Sequence, residues 1–365
     1  MILVGDCLEH LCSLPDGAAR CCVTSPPYWG LRDYGEPGQL GLEKTPQEYV
    51  DRMVAVFREV RRVLADDGTL WLNIGDCYAA GGRDGGMDGE RGEKQRSNQG
   101  TLLGPNVAPP GLKPKDLVGI PWRVAFALQD DGWWLRSDII WAKPNPMPES
   151  VTDRPTKAHE YLFLLSKSAR YYYDAAAIAE PASCPDPRLV DGFVPKSDNG
   201  KHAGLPQSAA ARGGLAPPDA NGSTLTGGKT GRHHLGDAIP EKERRSDKQR
   251  GHGRRHAGFN DRWDKMERDE QCSGTRNKRS VWTIPPAQFR GAHFATFPTA
   301  LVEPCIKAGS APGDTVLDPF FGAGTTGLVA SRLGREYVGI ELNPEYAEMA
   351  RERIRLDAPL FAEGS

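Results

Sequence analysis

Two stretches of the chain carry residue types that could do chemistry, and they lie near opposite ends of the sequence. The first is "SPPY", residues 25–28, which follows the run 18–23 of small and apolar residues around Arg20 and therefore leaves a predicted buried strand through two prolines. Proline fixes the dihedral φ, so the carbonyl directions are held while a hydroxyl and an aromatic ring stand beside them. Taken alone, such a tetrapeptide is most often a rigid turn. A catalytic role needs a second element that brings a reactant to it.

The second stretch is a glycine-rich turn, "GAGTTG" at 322–327, which matches the pattern G-x-G-x-x-G. It separates a predicted strand at 314–318 from a predicted helix at about 323–333, the setting in which backbone approaches a ligand closely. Glu341 lies 23 residues after Asp318, at the end of the next predicted strand, where a carboxylate can accept hydrogen bonds from ribose hydroxyls. The pattern predicts a nucleoside cofactor. A tight βα turn without a ligand is the alternative.

The residues before the turn bear on which cofactor it holds. A nicotinamide dinucleotide is the first candidate for G-x-G-x-x-G. However, Asp318-Pro319 directly precedes the turn, and a carboxylate there disfavours a pyrophosphate and suits a cationic or amino group. S-adenosylmethionine carries both an ammonium and a sulfonium. Both cofactors stay open at this point.

The segments between the two stretches alternate between strand and helix patterns. Residues 45–67 form a predicted helix, with Thr45 as N-cap, Pro46 in the first turn and Gly68 as the stop. Residues 133–143 and 159–174 read as strands and form a candidate antiparallel pair. The alternation predicts an α/β fold with a mostly parallel sheet and helices on both faces.

Composition separates one segment from the rest of the 365-residue chain. Residues 191–280 hold 18 Lys/Arg against 12 Asp/Glu, although the whole chain has a net charge of −2. The stretch 181–280 lacks periodicity, and a Gly-rich stretch at 79–114 reads as a mobile loop. A basic insertion fits contact with a polyanion, and a solvated loop is the alternative.

The sequence gives little indication of a metal-binding site or of a membrane-spanning segment. The eight cysteines form no C-x-x-C pair, and the histidine pairs at 233–234 and 252/256 lack partners at matching spacing, so no metal site is predicted. No leader and no apolar span of 18 residues is present, which indicates a soluble cytoplasmic protein.

The combination of "TSPPYWG" and "DPFFGAGTTG" resembles the amino-methylating DNA methyltransferases, the N4-cytosine and N6-adenine enzymes. Their catalytic motif is (D/N/S)-P-P-(Y/F/W) and their cofactor motif is F-x-G-x-G. The catalytic motif comes first here, as in the permuted β group, in which the target-recognition region lies between the two. The resemblance covers most of the chain. One departure is "FATFPTALVEP", which lacks the lysine that a His-Pro-Thr-x-Lys-Pro stretch often supplies before the cofactor turn.

The resemblance implies a Rossmann-like, S-adenosylmethionine-dependent fold made of two halves, 1–180 (catalytic) and 281–365 (cofactor-binding), around a target-recognition insertion at 181–280. It implies that Ser25 and the Pro26 carbonyl accept hydrogen bonds from the target amine, and that Tyr28 stacks on a flipped base, with Trp29 extending that surface. The "VGDC" stretch places Asp6 near the cofactor's adenine. The implied catalytic residues are Ser25, Pro26, Pro27 and Tyr28, and the implied cofactor residues are Asp6, Asp318, Phe320, Gly322, Gly324, Thr325, Thr326 and Glu341.

The implied activity is methyl transfer from S-adenosylmethionine to the N4 amine of cytosine in double-stranded DNA. Ser in the first motif position favours cytosine, and N6-adenine methylation is the alternative. A nicotinamide-dependent oxidoreductase and a non-catalytic nucleic-acid-binding module remain as other classes, as does methylation of RNA or a protein amide. A cognate restriction endonuclease is a possible partner. The recognition sequence and oligomeric state stay open.

Overall fold

The computed structural model describes residues 1–31, 33–79, 111–181, 274–286 and 297–357. The chain divides into two compact units, Met1–Glu180 together with Arg276–Ser365, and Pro181–Thr275. The second unit lies almost wholly outside the described residues, as do residues 80–110 of the loop predicted at 79–114 and the four histidines at 233–256. None of the described helices in the first unit is long and apolar enough to cross a membrane.

The first unit is built on an eight-stranded sheet. The strands are β1 (Ile2–Val4), β2 (Ala19–Thr24), β3 (Leu64–Ile74), β4 (Trp134–Ala142), β5 (His159–Ser166), β6 (Glu180–Pro181), β7 (Thr275–Arg276), β8 (Val281–Thr283), β9 (Thr315–Asp318) and β10 (Glu336–Glu341). The order in this sheet is β1-β10-β9-β2-β3-β5-β4-β8. Strand β5 runs antiparallel to its neighbours β3 and β4, and the other neighbouring strands are parallel. The predicted antiparallel pair is therefore confirmed, although its second strand ends at Ser166 rather than near residue 174. Two short strands, β6 and β7, pair separately.

Helices cover both faces of this sheet because its side chains alternate between two apolar clusters. The described helices are α1 (Cys7–Ser13), α2 (Pro46–Val63), α3 (Ile120–Asp130), α4 (Thr299–Gly309), α5 (Thr325–Arg332) and α6 (Pro344–Asp357). On one face, Cys22, Leu72 and Phe163 pack with helices α1, α2 and α3. On the other face, Cys21, Val23, Trp71, Leu162 and Leu164 pack with helices α4 and α5. Burial on both faces is typical of parallel sheets and explains the near-continuous apolar runs of β2 and β3.

Helix α2 begins where the sequence predicts and ends earlier. The Thr45 hydroxyl accepts a hydrogen bond from the Glu48 amide at 3.2 Å, as an N-cap does. The predicted end at residue 67, before Gly68, is wrong: the helix ends at Val63. Leu64 instead pairs with Ala19 of β2. An apolar residue at position 64 satisfies either a helical face or a strand, so periodicity alone cannot place this boundary.

Candidate functional site

The two chemistry-bearing stretches meet at one edge of the sheet. Strands β2 and β9 are parallel neighbours, with Cys21 opposite Val316 and Cys22 opposite Leu317. The motif at 25–28 follows β2 and the glycine turn follows β9, so both leave the sheet at the carboxyl ends of adjacent strands. The chain reverses its winding direction at this point, since β9 is followed by β10 on one side and β2 is followed by β3 on the other. Crevices at such switch points are where open α/β sheets bind ligands.

Asp318 joins the two stretches through hydrogen bonds. Its Oδ1 accepts from the Thr24 hydroxyl at 2.6 Å, and its Oδ2 accepts from the Thr326 hydroxyl at 2.7 Å. The Thr326 hydroxyl also lies 3.2 Å from the carbonyl oxygen of Val23. Asp318 is only 1% exposed. Both carboxylate oxygens therefore face protein hydroxyls, and the contact with a cationic or amino group that the sequence suggests stays a prediction.

Burial of Asp318 makes protein stability depend on pH. Desolvation raises its pKa to about 6, although the two threonine hydroxyls and the Phe320 amide favour the charged form. A carboxyl whose pKa is raised in the folded state stabilises that state when protonated, and this contribution is lost as pH rises through the folded pKa. We expect the free energy of unfolding of the wild type, relative to Asp318→Asn, to fall by about 1 kcal/mol between pH 5 and pH 7. Urea denaturation of both proteins across this range measures it, and a difference that grows with pH would contradict it.

Glu341 closes the glycine turn from the end of β10. Its Oε2 accepts from the Gly322 amide at 2.7 Å, and its Oε1 accepts from the Asn343 amide at 2.9 Å. Burial raises the pKa of this carboxyl, and the two amides oppose that shift. Gly324 has φ of +74° and directly precedes α5. The turn is thus a fixed loop of backbone with a carboxylate beside it.

The other predicted cofactor residues surround this turn. The Thr325 hydroxyl accepts from Arg353 Nη1 at 3.0 Å, which ties the start of α5 to α6. The half-buried Phe320 ring meets Phe57 edge-on, with centroids 6.4 Å apart. Asp6 follows β1 and caps α1, because its Oδ1 accepts from the Leu8 amide at 2.8 Å. Strand β1 lies beside β10, so Asp6 and Glu341 are at the same edge of the sheet.

A second tyrosine, Tyr49, holds the "SPPY" turn in place through a hydrogen bond. The Tyr49 hydroxyl, on α2, donates to the carbonyl oxygen of Pro27 at 2.9 Å. Pro26 is buried, and Ser25 and Tyr28 are half-buried. The Tyr28 ring lies directly on Gly75, where an added Cβ would come within 2.5 Å of it.

Trp29 does not extend the aromatic surface of the turn, which corrects the expectation from the sequence. Its ring is 6% exposed, and its Nε1 donates to the carbonyl oxygen of Glu43 at 2.9 Å. The indole thus packs into the core behind the turn.

A polar network surrounds the Tyr28 hydroxyl. That hydroxyl donates to Glu160 Oε2 at 2.7 Å and lies 3.4 Å from Asn73 Oδ1. Asn73 Nδ2 is in turn 3.3 Å from the same Glu160 oxygen. The other Glu160 oxygen pairs with the Lys143 ammonium, which sits over the Trp141 ring. Burial and the Glu160 charge raise the pKa of Tyr28.

The sequence motifs did not include Asn73, Lys143 or Glu160. Each occupies the end of a strand: Asn73 in β3, Lys143 just after β4, and Glu160 at the start of β5. A polar residue inside an apolar strand pattern such as "LWLNI" is a usable signal, because buried polar groups need partners. Which side chain such a residue contacts, however, depends on the order of the strands in the sheet, and sequence periodicity does not reveal that order.

Among the described residues, no group of three or more His, Cys, Asp or Glu side chains is arranged to hold a metal.

Comparison with known proteins gives a consistent set of relatives. The family model for DNA methylases of the N6/N4 type matches residues 19–352. The Type II methyltransferase M.Cfr9I of Citrobacter freundii is 42% identical over 96% of this chain and 86% of its own length. Among solved structures, the cytosine-N4-specific PvuII DNA methyltransferase has a TM-score of 0.53 at 18% identity, covering 98% of this chain and 90% of its own. A putative DNA modification methylase of Thermus thermophilus, in complex with S-adenosyl-L-methionine, has a TM-score of 0.52 at 22% identity, covering 99% of this chain and 95% of its own.

Proposed function

The chain belongs to the N6/N4 family of DNA methylases, and from that premise we propose that it methylates the N4 amine of cytosine in double-stranded DNA. The observation that carries the proposal is the meeting of the "SPPY" turn and the glycine turn at adjacent strand ends, joined by Asp318. A nucleotide-type cofactor and a target amine would be held side by side there. The fold is that of a Rossmann-like methyltransferase with the catalytic motif first.

The exocyclic amine of a DNA base is a weak nucleophile, and the enzyme must overcome this weakness to methylate it. The lone pair of an exocyclic amine is delocalised, so the nitrogen must become pyramidal and lose a proton as it attacks. Acceptors placed against the NH₂ group favour that geometry. In our proposal these acceptors are the Ser25 hydroxyl and the Pro26 carbonyl. Tyr49 fixes the following carbonyl, that of Pro27, at 2.9 Å, so the backbone of the turn is rigid where the amine would dock.

Tyr28 is the proposed stacking surface for the target base. One face of its ring lies on Gly75, and its hydroxyl is anchored to Glu160. A ring fixed in this way can receive a base without paying the entropy of ordering a loose side chain. The base must leave the duplex to reach it, as in other enzymes that modify bases.

The residues around the glycine turn fit S-adenosylmethionine, which supplies an electrophilic methyl on its sulfonium. We assign the ribose hydroxyls to Glu341, which is held at the turn by the Gly322 amide. Phe320 offers an apolar ring beside the turn, and Asp6 lies at the same strand edge as Glu341. Gly324 allows the close backbone approach, and the hydroxyls of Thr325 and Thr326 fix the first turn of α5 through Arg353 and Asp318.

The choice of cytosine rests on Ser25 and on the name of one structural neighbour. Ser in the first motif position favours N4-cytosine within this family, and the PvuII enzyme is described as cytosine-N4-specific. The remaining assignments also belong to the proposal: 1–180 as catalytic half, 281–365 as cofactor half, and the basic 181–280 as the target-recognition region. A partner endonuclease is proposed because M.Cfr9I is a Type II methyltransferase.

Genomic DNA from cells that express the protein tests the function directly. Sequencing with a method that reports modified bases is expected to show N4-methylcytosine at one short recurring sequence, and no such mark in cells that carry Ser25→Ala. N6-methyladenine at a recurring sequence would overturn the choice of base while keeping the reaction class. Unmodified DNA from cells that make soluble wild-type protein would overturn DNA methylation itself.

A further inference from the structure

The segment between the "SPPY" turn and helix α2 reaches across the carboxyl edge of the sheet. Within it, residues 33–43, which we call the strap, contact the far side of the cofactor turn: Asn343 Nδ2, just beyond β10, donates to Glu36 Oε1 at 3.0 Å. Strand β9 lies between β2 and β10, so two strand spacings, about 10 Å, separate the two ends. A segment that follows β2 and touches the end of β10 therefore passes the carboxyl end of β9, where the glycine turn begins.

The strap is a folded loop that is closed at its base. The Gly30 amide donates to the carbonyl oxygen of Gly41 at 2.8 Å, which brings the two ends together. Inside the loop, the Tyr34 amide donates to Gln39 Oε1 at 2.7 Å, and the Gln39 amide donates to the carbonyl oxygen of Glu36 at 3.2 Å. Gln39 is buried and Glu36 is half-buried. A loop packed by its own side chains in this way can move as one piece.

The contact between the strap and β10 has a defined direction because Asn343 also caps α6. Asn343 Oδ1 accepts from the amides of Glu345 at 2.8 Å and Tyr346 at 3.3 Å, as an N-cap does. The cap turns Nδ2, which can only donate, toward Glu36. The Asn343 backbone amide donates to Glu341 Oε1 at 2.9 Å. One residue thus holds both the strap and the carboxylate that we assign to the ribose hydroxyls.

From this geometry we infer that Glu36 is a positioning residue whose bond to Asn343 holds the strap across the cofactor site and sets how fast S-adenosylmethionine enters and leaves. A cofactor that touches both Glu341 and the glycine turn lies in the path of the strap, so the bond opens for each passage and re-forms afterwards. Because the bond is present before and after passage, its loss changes rates more than affinity. The inference rests on the proposed function, which takes Glu341 and the glycine turn as the cofactor site.

Exchange of the two hydrogen-bonding groups tests the inference. Glu36→Ala removes the acceptor, and Asn343→Asp removes the donor while keeping an oxygen for the cap. Each variant should raise both the association and the dissociation rate constant of S-adenosylmethionine about 3- to 10-fold, the effect of one hydrogen bond, with Kd within about twofold of the wild type. When Glu36→Gln is combined with Asn343→Asp, the glutamine amide can donate to the aspartate, so both rates should return to within about twofold. Stopped-flow mixing and a chase of labelled cofactor measure them.

Two single variants serve as controls. Glu36→Gln keeps an acceptor oxygen, and Glu345→Gln alters an exposed carboxyl at the same helix start, so both should keep wild-type rates. Wild-type rates in Glu36→Ala and Asn343→Asp would overturn the inference, as would a raised Kd without faster association. So would a double variant as fast as Asn343→Asp alone, even if Glu36→Ala failed to fold. A wild type that neither binds S-adenosylmethionine nor transfers its methyl group would instead overturn the proposed function.

Discussion

Replacement of Ser25 by alanine is expected to lower kcat for methyl transfer to DNA about 100- to 1,000-fold, the usual effect of removing one group placed against developing charge. Ser25 is half-buried and lies in a turn rather than in a core element, so its loss should leave the fold in place. Binding of S-adenosylmethionine should remain within about twofold, because Ser25 is assigned to the amine and not to the cofactor. Transfer of labelled methyl groups to DNA, with calorimetric binding of the cofactor, measures both quantities.

Ser13→Ala provides the matched control for this prediction. The Ser13 hydroxyl donates to the carbonyl oxygen of His10 at the exposed end of α1, away from the "SPPY" turn. It should keep wild-type kcat. A Ser25→Ala protein that transfers methyl groups at the wild-type rate would remove Ser25 from the catalytic assignment.

Gly324→Ala is expected to lower the free energy of unfolding by about 3 kcal/mol and to abolish measurable cofactor binding. Two physical effects combine at this position. The backbone has φ of +74°, which an alanine adopts with strain, and an added Cβ would lie 2.8 Å from the Cβ of Ala350. Helix α6 and the glycine turn must then separate, which displaces the backbone that Glu341 closes. Urea denaturation and titration with S-adenosylmethionine check the two parts.

Gly334→Ala isolates the contribution of backbone strain. Gly334 has φ of +69°, close to that of Gly324, but nothing lies within 4 Å of an added Cβ. This variant should lose only about 1 kcal/mol and bind the cofactor normally. Equal losses of stability in the two variants would show that contact with α6 plays no part.

Much of the fold was predictable because strand and helix patterns are local. The strand at 336–341, the N-cap at Thr45, and the cap of α6 by Asn343, whose side chain accepts from the Glu345 amide at 2.8 Å, all follow from nearby residues. The end of α2 did not follow, because Leu64 pairs with Ala19 in a strand that lies far earlier in the sequence. Pairing between distant strands overrides local preference.

The candidate site was predictable to the extent that motifs carry it. The sequence correctly places Gly322, Gly324, Glu341 and the "SPPY" turn relative to their strands. The roles of these residues stay predictions. Glu160 could not be found in this way, because its partner Tyr28 is 132 residues distant. Trp29 was wrongly placed because the direction of a side chain after a double proline depends on how α2 and Glu43 pack around it.

The hydrogen bonds of Asp318 join residues that are far apart in the sequence, so the site can form only late in protein synthesis. Thr24 leaves the ribosome 294 residues before the carboxylate that it binds, and β2 stays without its neighbour β9 for that interval. At the usual speed of synthesis the wait is roughly 15–60 s. A nascent chain therefore displays its "SPPY" turn long before it can take up a methyl donor. Truncated products of interrupted translation that end before β9 would be inert toward DNA bases, whatever part of the proposed recognition region they carry.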